Sequence, residues 1–249
     1  MIRALVLRTA GTNCDHETLH ALKLCGAKPD LRHLREVLKN PKELFNYAIL
    51  VIPGGFSYGD DVAAGKILAN ELKFKLKNEL EKFVEEKRLI IGICNGFQVL
   101  VKTGLLPGSE SFTQNSTLTQ NDSGRFQCEW ISMKTETSRA RWLSVLPKMF
   151  DLPIAHGEGR FVAADSALLK SLEKNRQVIF RYHPQNPNGS THAIAGVCNV
   201  AGNVVGLMPH PERYVSHYQH PSWTRKLETT QTPGYLFWQG AIQYARSIA

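Results

Sequence analysis

The sequence has no long apolar run and few cysteines. No stretch of roughly eighteen or more apolar residues occurs, which excludes an ordinary membrane-spanning helix. The 5 cysteines are odd in number and none belongs to a CxxC pair, so a disulfide framework is not expected. The first residues resemble a β-strand, and no signal peptide is expected. These absences predict a cytoplasmic protein in a reducing compartment, without a membrane partner.

Internal repeats, low-complexity tracts and evident linkers are also missing. We therefore predict a single domain over residues 1–249, with residues 109–150 as an insertion that holds a strand and a helix. No GxGxxG follows a strand. Residues 59–67 resemble a phosphate-binding loop but are one residue too long, and Ile67 stands where a hydroxyl is required. No nucleotide cofactor is expected on this chain.

Positive charge exceeds negative charge, with a formal net charge of +8. The lysines are interspersed with glutamates, as in residues 73–82, which is typical of the solvated face of an amphipathic helix. The excess charge therefore favours a protein partner and gives no support to nucleic-acid binding.

Apolar strands alternate with helical segments in the first half of the chain. The predicted elements there are strands at 4–7, 48–52 and 89–93, and helices at about 15–25 and 71–87. The second half is richer in strands, with antiparallel character over 125–134 and 152–162, a helix at 166–175, strands at 178–182, 193–200 and 204–208, and a closing helix at about 236–247. This order predicts an α/β fold, an open, mostly parallel twisted sheet with helices on both faces and a strand-rich insertion.

Cys94 lies where a buried strand must turn sharply into a helix. Leu89–Ile93 is the apolar run, and Gly92 and Gly96 flank the cysteine at the spacing of a nucleophile elbow. A thiol held there points out of the sheet and lies at the positive end of a helix, which favours the thiolate. Cys94 is therefore the candidate nucleophile.

Two other strand ends are expected to meet Cys94, because ligands of open α/β sheets bind at the carboxyl ends of the strands. Gly54 and Gly55 follow one strand and leave backbone N–H groups free to face an anion. His210 and Glu212 follow another, beside prolines that favour an extended chain. In an extended chain both side chains project to the same side, so Glu212 would accept a hydrogen bond from Nδ1 of His210 and leave Nε2 for the sulfur.

Ser57 offers an alternative nucleophile, because residues 55–59 also fit the GxSxG pattern after an apolar strand. Pro53 and the glycines that follow it indicate that the chain has already left the strand before Ser57. A loop that supplies oxyanion donors is therefore favoured, and a serine hydrolase is the alternative.

Residues 16–20 match the zinc-peptidase pattern HExxH. On a helical wheel His16, His20 and Lys23 share the solvated side, opposite Leu19 and Leu22. A lysine beside two histidines disfavours zinc, and the sequence offers no obvious third ligand. No metal site is predicted, and a zinc peptidase is the alternative.

With these residues in view, the chain resembles triad-type (class I) glutamine amidotransferases, and more closely the glutaminase subunits of phosphoribosylformylglycinamidine synthase. The resemblance covers nearly the whole chain. The motifs that carry it lie at residues 11–15, 53–60, 92–98, 155–159, 186–190 and 206–213. Residues 61–65 depart from the family pattern, which affects local partner contacts and not the hydrolysis.

The resemblance implies that Cys94 attacks the side-chain amide carbon of glutamine. It implies an oxyanion held by the backbone N–H groups of Asn95 and of the Gly54–Gly55 loop, with Gly55 as the expected donor there. It also implies that Gln98 helps to position the substrate.

The remaining implied roles concern protons and partners. His210 would protonate the departing ammonia and then activate water, with Glu212 orienting it, and residues 156–158 would contact the amino-acid end of the substrate. The resemblance implies a large synthetase subunit that carries ATP and Mg²⁺, usually with a small third subunit, in purine biosynthesis. This chain would bind no cofactor itself. A non-catalytic or regulatory relative is the alternative, although such a protein needs neither His210 nor Glu212.

Overall fold

The computed structural model describes residues 1–108, 112–225 and 231–248. The strands in this part of the chain are β1 (Arg3–Arg8), β2 (Lys28–His33), β3 (Ile49–Ile52), β4 (Leu89–Ile93), β5 (Ser116–Thr119), β6 (Gln127–Thr135), β7 (Met149–His156), β8 (Arg160–Ala163), β9 (Val178–Tyr182), β10 (Ile194–Cys198) and β11 (Val204–Leu207). Nine of these strands form the main sheet, and β5 pairs separately with β8.

The main sheet is parallel in one half and antiparallel in the other. Its strand order is β2-β1-β3-β4-β11-β10-β9-β6-β7. Neighbours from β2 to β11 pair in parallel, and neighbours from β11 to β7 pair antiparallel. The predicted parallel sheet and the predicted antiparallel character of the second half are both confirmed. Strand β4 lies between β3 and β11, so its carboxyl end lies near the middle of the sheet.

Helices cover both faces of the sheet, as predicted. They are α1 (Asp15–Leu24), α2 (Leu34–Lys39), α3 (Lys66–Lys75), α4 (Lys77–Glu85), α5 (Asn95–Thr103), α6 (Ser166–Lys174) and α7 (Pro233–Ser247). In the strand order of the sheet, the connection from β1 to β2 runs toward the β2 edge, and the connection from β3 to β4 runs toward the β7 edge. Right-handed crossovers therefore place α1 and α3 on opposite faces. Helix α1 packs with α7, and α3 packs with α4 and α5.

The central strands are apolar because helices cover them on both sides. Every residue of β3 and β4 is buried, whereas both ends of β1 are exposed. Burial of one such aliphatic side chain stabilises the fold by about 1.5–3 kcal/mol. These strands therefore hold their carboxyl ends, where the candidate residues lie, in a fixed position. No helix among the described residues has the length and apolar character needed to cross a membrane.

The structure differs from the prediction at one helix and one strand. The single helix expected at about 71–87 is wrong, because the chain forms α3 and α4 with a break at Leu76. Leu76 leaves the helical conformation (φ −129°, ψ 14°) and buries its side chain. Strand β2 was not predicted, because it is a half-exposed edge strand with a polar sequence.

The segment 109–150 contributes to the main sheet. Residues 109–111 lie outside the described part of the chain. The rest holds β5, most of the β6–β7 hairpin and a short 3-10 turn at Arg141–Val145 in place of the expected helix. Because β6 pairs with both β9 and β7, this segment supplies an integral strand of the sheet.

Candidate active site

Cys94 forms the sharp turn between β4 and α5. Its backbone has φ 51° and ψ −106°, a conformation that residues other than glycine rarely adopt. Such strain persists only where the surroundings enforce it, and it is typical of nucleophile elbows. Cys94 is also the N-cap residue of α5.

The flanking glycines allow α5 to cross the sheet at close range. A Cβ on Gly92 would lie 2.5 Å from the carbonyl oxygen of Gly96 and 2.6 Å from Leu100. Gly96 in turn packs directly on the carbonyl of Ile52 in β3. The elbow therefore depends on two positions without side chains, as its sequence predicts.

His210 comes to the same edge of the sheet as Cys94. The amide of Cys94 donates to the oxygen of Leu207 at 2.8 Å, which ties the elbow to the end of β11. The amide of His210 donates to the oxygen of Pro153 at 2.9 Å. The thiol of Cys94 donates to the oxygen of Ala155 at 3.6 Å. Both residues therefore lie over the same stretch of β7.

His210 and Glu212 form a buried pair. Nδ1 of His210 lies 2.6 Å from Oε1 of Glu212, and the two side chains are 2% and 0% exposed. This is the predicted hydrogen bond, but the predicted extended chain is wrong. Pro211–Arg213 form a 3-10 turn, because Pro211 is suited to the first position of a helix. The turn, and not strand alternation, brings the carboxylate back to the ring.

The surroundings of His210 favour its protonated form. Burial by itself lowers the pKa of His210, but the charge of Glu212 and then the neighbouring Cys94 outweigh burial and raise this pKa well above its ordinary value. Nε2 of the ring is buried and has no hydrogen-bond partner within the described residues. With Nδ1 engaged by Glu212, Nε2 is the atom left to exchange a proton.

Two backbone amides lie at the turns next to these side chains. A Cβ on Gly54 would lie 2.9 Å from Cε1 of His210, so the loop after β3 contacts the ring. Gly55 has φ +143°, which favours glycine. In the part of the chain that the structure describes, neither the N–H of Gly55 nor that of Asn95 donates to a protein acceptor. Both groups are therefore available to an anion beside Cys94.

The side chain of Asn95 connects the elbow to the loop after β3. Its Oδ1 accepts the N–H of Ser57 at 3.1 Å. Its Nδ2 donates to Oδ1 of Asp60 at 3.0 Å and to Oε1 of Gln98 at 2.9 Å. Asn95 is 2% exposed, so these contacts are screened from water. One side chain thus fixes the relative position of two segments that carry candidate oxyanion donors.

Gln98 continues this network away from the sulfur. Its Nε2 donates to the carbonyl oxygen of Glu158 at 2.6 Å, and its side chain is buried. Gln98 therefore joins α5 to the loop at residues 157–159. The family resemblance implied that Gln98 helps to position the substrate. The observed contacts show that Gln98 supports the loop at residues 157–159.

His156 begins the same loop and is held by Asn121. Nδ1 of His156 lies 3.0 Å from Oδ1 of Asn121, and that oxygen also accepts the N–H of Gly159. Burial, with repulsion from His210, lowers the pKa of His156 to about 4. His156 is therefore neutral at physiological pH. Asn121 was missed by sequence reasoning, since no motif contains it.

A second buried cysteine, Cys14, lies behind His210 and was also missed as a site residue. Its sulfur lies 4.0 Å from Nδ1 of His210. Arg213 donates from Nη2 to this sulfur at 3.2 Å and from Nε to Glu17 at 2.7 Å. Burial raises the pKa of the Cys14 thiol to about 11. The available signal was that Cys14 and Arg213 each belong to a motif of the family resemblance.

The two alternative motifs lack the surroundings that their chemistry requires. Ser57 lies in a 3-10 turn, and its buried Oγ has no hydrogen-bond partner within residues 1–108, 112–225 and 231–248, so no base is bound to it. His16 and His20 are both exposed, and Glu17 of the HExxH match pairs with Arg213. Neither histidine belongs to the cluster of possible metal ligands found among the described residues.

Comparison with known proteins agrees with this geometry. Residues 1–245 match the family described as CobB/CobQ-like glutamine amidotransferase domain. The chain is 39% identical to phosphoribosylformylglycinamidine synthase subunit PurQ of Dehalococcoides mccartyi, over 99% of each chain. It is 40% identical to the protein of the same name from Treponema denticola, over 97% of this chain and 98% of the relative. A chain in a solved structure of PurLQS from Thermotoga maritima is 34% identical with a TM-score of 0.76, and the match covers 98% of both chains.

Proposed function

This chain belongs to the CobB/CobQ-like glutamine amidotransferase family, and from that premise we propose that it is the glutamine-hydrolysing subunit of a phosphoribosylformylglycinamidine synthase. The relatives that bear this name match it over nearly their full length. The observation that carries the proposal is the meeting of the strained Cys94 with the buried His210–Glu212 pair.

The nucleophile in this proposal is Cys94. Nε2 of His210, whose pKa is raised well above its ordinary value, holds the proton of the Cys94 thiol, and the sulfur attacks the side-chain amide carbon of glutamine. The carbonyl oxygen then becomes an oxyanion. The N–H groups of Asn95 and Gly55 are the donors for it, and each such donor contributes about 3 kcal/mol of transition-state stabilisation. Gly54 supports this geometry because it leaves room for the ring of His210.

His210 carries the proton through both halves of the reaction. It gives the proton to the departing nitrogen, so ammonia leaves and a thioester with Cys94 remains. It then takes a proton from a water molecule, and this water attacks the thioester to give glutamate. His210 finally returns the proton to the sulfur of Cys94. Glu212 holds Nδ1–H throughout and keeps the ring in the tautomer that both steps need.

Asn95 and Gln98 act as positioning residues in this scheme. The Asn95 side chain fixes the loop at Ser57, and Gln98 supports the loop at Glu158. The second loop follows His156 along the chain and is suited to the amino-acid end of glutamine. The neutral His156 would serve there as a structural or hydrogen-bonding group.

The proposed partner is a large synthetase subunit, joined by a small third subunit. Ammonia is mostly protonated in neutral water and then loses its nucleophilicity, so a shielded route to the acceptor preserves it. The solved relative bears the name PurLQS, which supports an assembly of this kind. ATP and Mg²⁺ would belong to the synthetase, where formylglycinamide ribonucleotide is converted to formylglycinamidine ribonucleotide. We place the reaction in the cytoplasm and treat residues 1–249 as one domain.

Trapping with diazo-oxo-norleucine, an electrophilic glutamine analogue, tests the proposal. Intact-mass analysis should show one adduct on wild type and on Ser57→Ala, and none on Cys94→Ala. An adduct lost in Ser57→Ala and kept in Cys94→Ala would favour a serine hydrolase. No adduct on any variant, even with the synthetase and its ligands present, would favour a non-catalytic relative.

A further inference from the structure

Four potential metal ligands, one of which is His210 itself, lie close together next to the proposed active site. They are Cys14, Glu17, His210 and Glu212, and one ligand atom from each lies within 4.8 Å of the others. A thiolate, an imidazole and carboxylates form the donor set that zinc and related borderline-soft cations prefer. Two elements supply them, since Cys14 caps α1 and His210 follows β11.

One carboxylate oxygen of this cluster has no hydrogen-bond partner among the described residues. Oε2 of Glu212 is buried and has no hydrogen-bond partner in the described part of the chain, while Oε1 is bound to His210. A buried carboxylate oxygen without a donor is costly, and it favours a cation or a donor beside it. This observation points to a ligand independently of the residue types in the cluster.

We propose that this cluster binds a divalent cation of the zinc class and that the bound cation switches the triad off. A tetrahedral ion with bonds of about 2.0–2.3 Å separates its ligands by roughly 3.3–3.8 Å. The 4.0 Å between the sulfur of Cys14 and Nδ1 of His210 is close to this spacing. The hydrogen bond between His210 and Glu212 must open to admit the ion.

Inactivation follows from the chemistry of the imidazole ring. A metal bound at Nδ1 needs the lone pair of that nitrogen, so a neutral ring then carries its proton on Nε2. Nε2 is the atom that accepts the proton of Cys94 in the proposed reaction. The same nitrogen lone pair cannot serve the cation while Nδ1–H serves Glu212. The bound cation and catalysis therefore exclude each other. This inhibition rests on the proposed function, whereas the binding of the cation does not.

Arg213 is the competitor of the cation. Its guanidinium donates to the sulfur of Cys14 and to Glu17, so it occupies the open side of the cluster. Glu17 and Arg213 are 36% and 34% exposed, which gives the cation a route from solvent while the other ligands are buried. Arg213 must swing outward for the ion to enter. Binding is therefore conditional and reversible, and removal of the arginine should strengthen it.

The test is metal binding to the purified full chain, without substrate or partner. We expect about one equivalent of Zn²⁺ on wild type by calorimetry, and a thiolate-to-metal ultraviolet band with Cd²⁺. Both signals should persist in Cys94→Ala, which removes the nearby catalytic thiol. Cys14→Ser should abolish the ultraviolet band. Glu17→Gln should weaken Zn²⁺ binding by at least roughly 10–100-fold, which is the loss of affinity seen when a group that supports a metal ligand is removed.

The remaining variants separate this site from its alternatives. Arg213→Gln should bind Zn²⁺ more tightly than wild type, and circular dichroism confirms that each variant is folded. A band that survives in Cys14→Ser or disappears in Cys94→Ala would overturn the proposal, since the metal would then bind through another cysteine. Absence of binding to wild type and to Arg213→Gln would also overturn it. Because no turnover is measured, failure of the glutaminase assignment would leave these results unaffected.

Discussion

A Cβ on Gly96 would lie 1.8 Å from the carbonyl oxygen of Ile52. The first turn of α5 therefore packs directly on the backbone of β3. Gly96→Ala must move the helix or the strand end, because a backbone oxygen cannot rotate aside. We expect a loss of unfolding free energy of at least about 1–3 kcal/mol. Urea unfolding measures this loss, and trapping by diazo-oxo-norleucine should fall because Cys94 moves with the helix.

Gly157→Ala is the matched control for that substitution. Among the described residues, a Cβ there meets only Phe126, at an ordinary 3.8 Å, and Gly157 does not have a positive φ. Its midpoint of urea unfolding should match that of wild type. Equal stability of Gly96→Ala and Gly157→Ala would contradict the close packing of α5 on β3.

Glu212→Gln keeps the shape of the buried side chain but removes its charge. The pKa of His210 then loses the contribution of Glu212 that raises it, and the amide no longer enforces the Nδ1–H tautomer. We expect turnover of glutamine, measured with the synthetase partner, to fall by about 10³–10⁴-fold. The pH profile should also shift, which a purely structural defect would not cause. Glu85→Gln, at an exposed carboxylate in α4, should leave rate and profile unchanged.

Asn95→Ala should separate oxyanion stabilisation from thiol reactivity. The substitution leaves the buried N–H of Ser57 without its acceptor, which costs about 1–3 kcal/mol, and it releases the loop that carries Gly55. We expect kcat for glutamine to fall by about 10²-fold or more. Alkylation of Cys94 by iodoacetamide, which needs no oxyanion donors, should be little changed.

Asn40→Ala tests whether loss of any asparagine has this effect. Asn40 is exposed, and its side-chain amide donates to the nearby Glu43. It should alter neither rate. A parallel fall of both rates in Asn95→Ala would instead indicate that the whole elbow, and not the oxyanion loop, had been displaced.

The elbow could be predicted from the sequence because its determinants are local. Leu89–Ile93 is uniformly apolar, and the two glycines stand at fixed offsets from Cys94. Strand β4 accordingly has the predicted bounds. The bond between His210 and Glu212 was also predicted, but its geometry was not. Two prolines restrict the chain to either an extended segment or a 3-10 turn, and packing against the neighbouring elements selects the turn.

The supporting network could not be predicted, because its members meet only in the folded chain. Asn95 contacts residues 35 and 38 positions earlier, and Gln98 contacts a carbonyl 60 positions later. Asn121 belongs to no motif, and the motif that contains Cys14 does not by itself mark the cysteine as a site residue. The edge strand β2 was not predicted either, because half-exposed polar strands lack the apolar alternation that identifies a strand.

His156 should make the protein sensitive to mild acid. The unfolded chain binds a proton at this histidine near the ordinary pKa of 6.5, whereas burial holds the folded pKa at about 4. Between these values the unfolded state binds more protons, so stability falls as the pH falls. From about pH 7.5 to about pH 5 the loss from this residue should be about 2 kcal/mol. His156→Asn, which retains an amide near the Nδ1 position, should remove that part of the pH dependence in urea unfolding. His20→Asn, at an exposed position of α1, should keep it. Equal pH dependence in wild type and His156→Asn would mean that the folded protein does not lower the pKa of this ring, and burial would then not be what keeps it neutral beside the substrate.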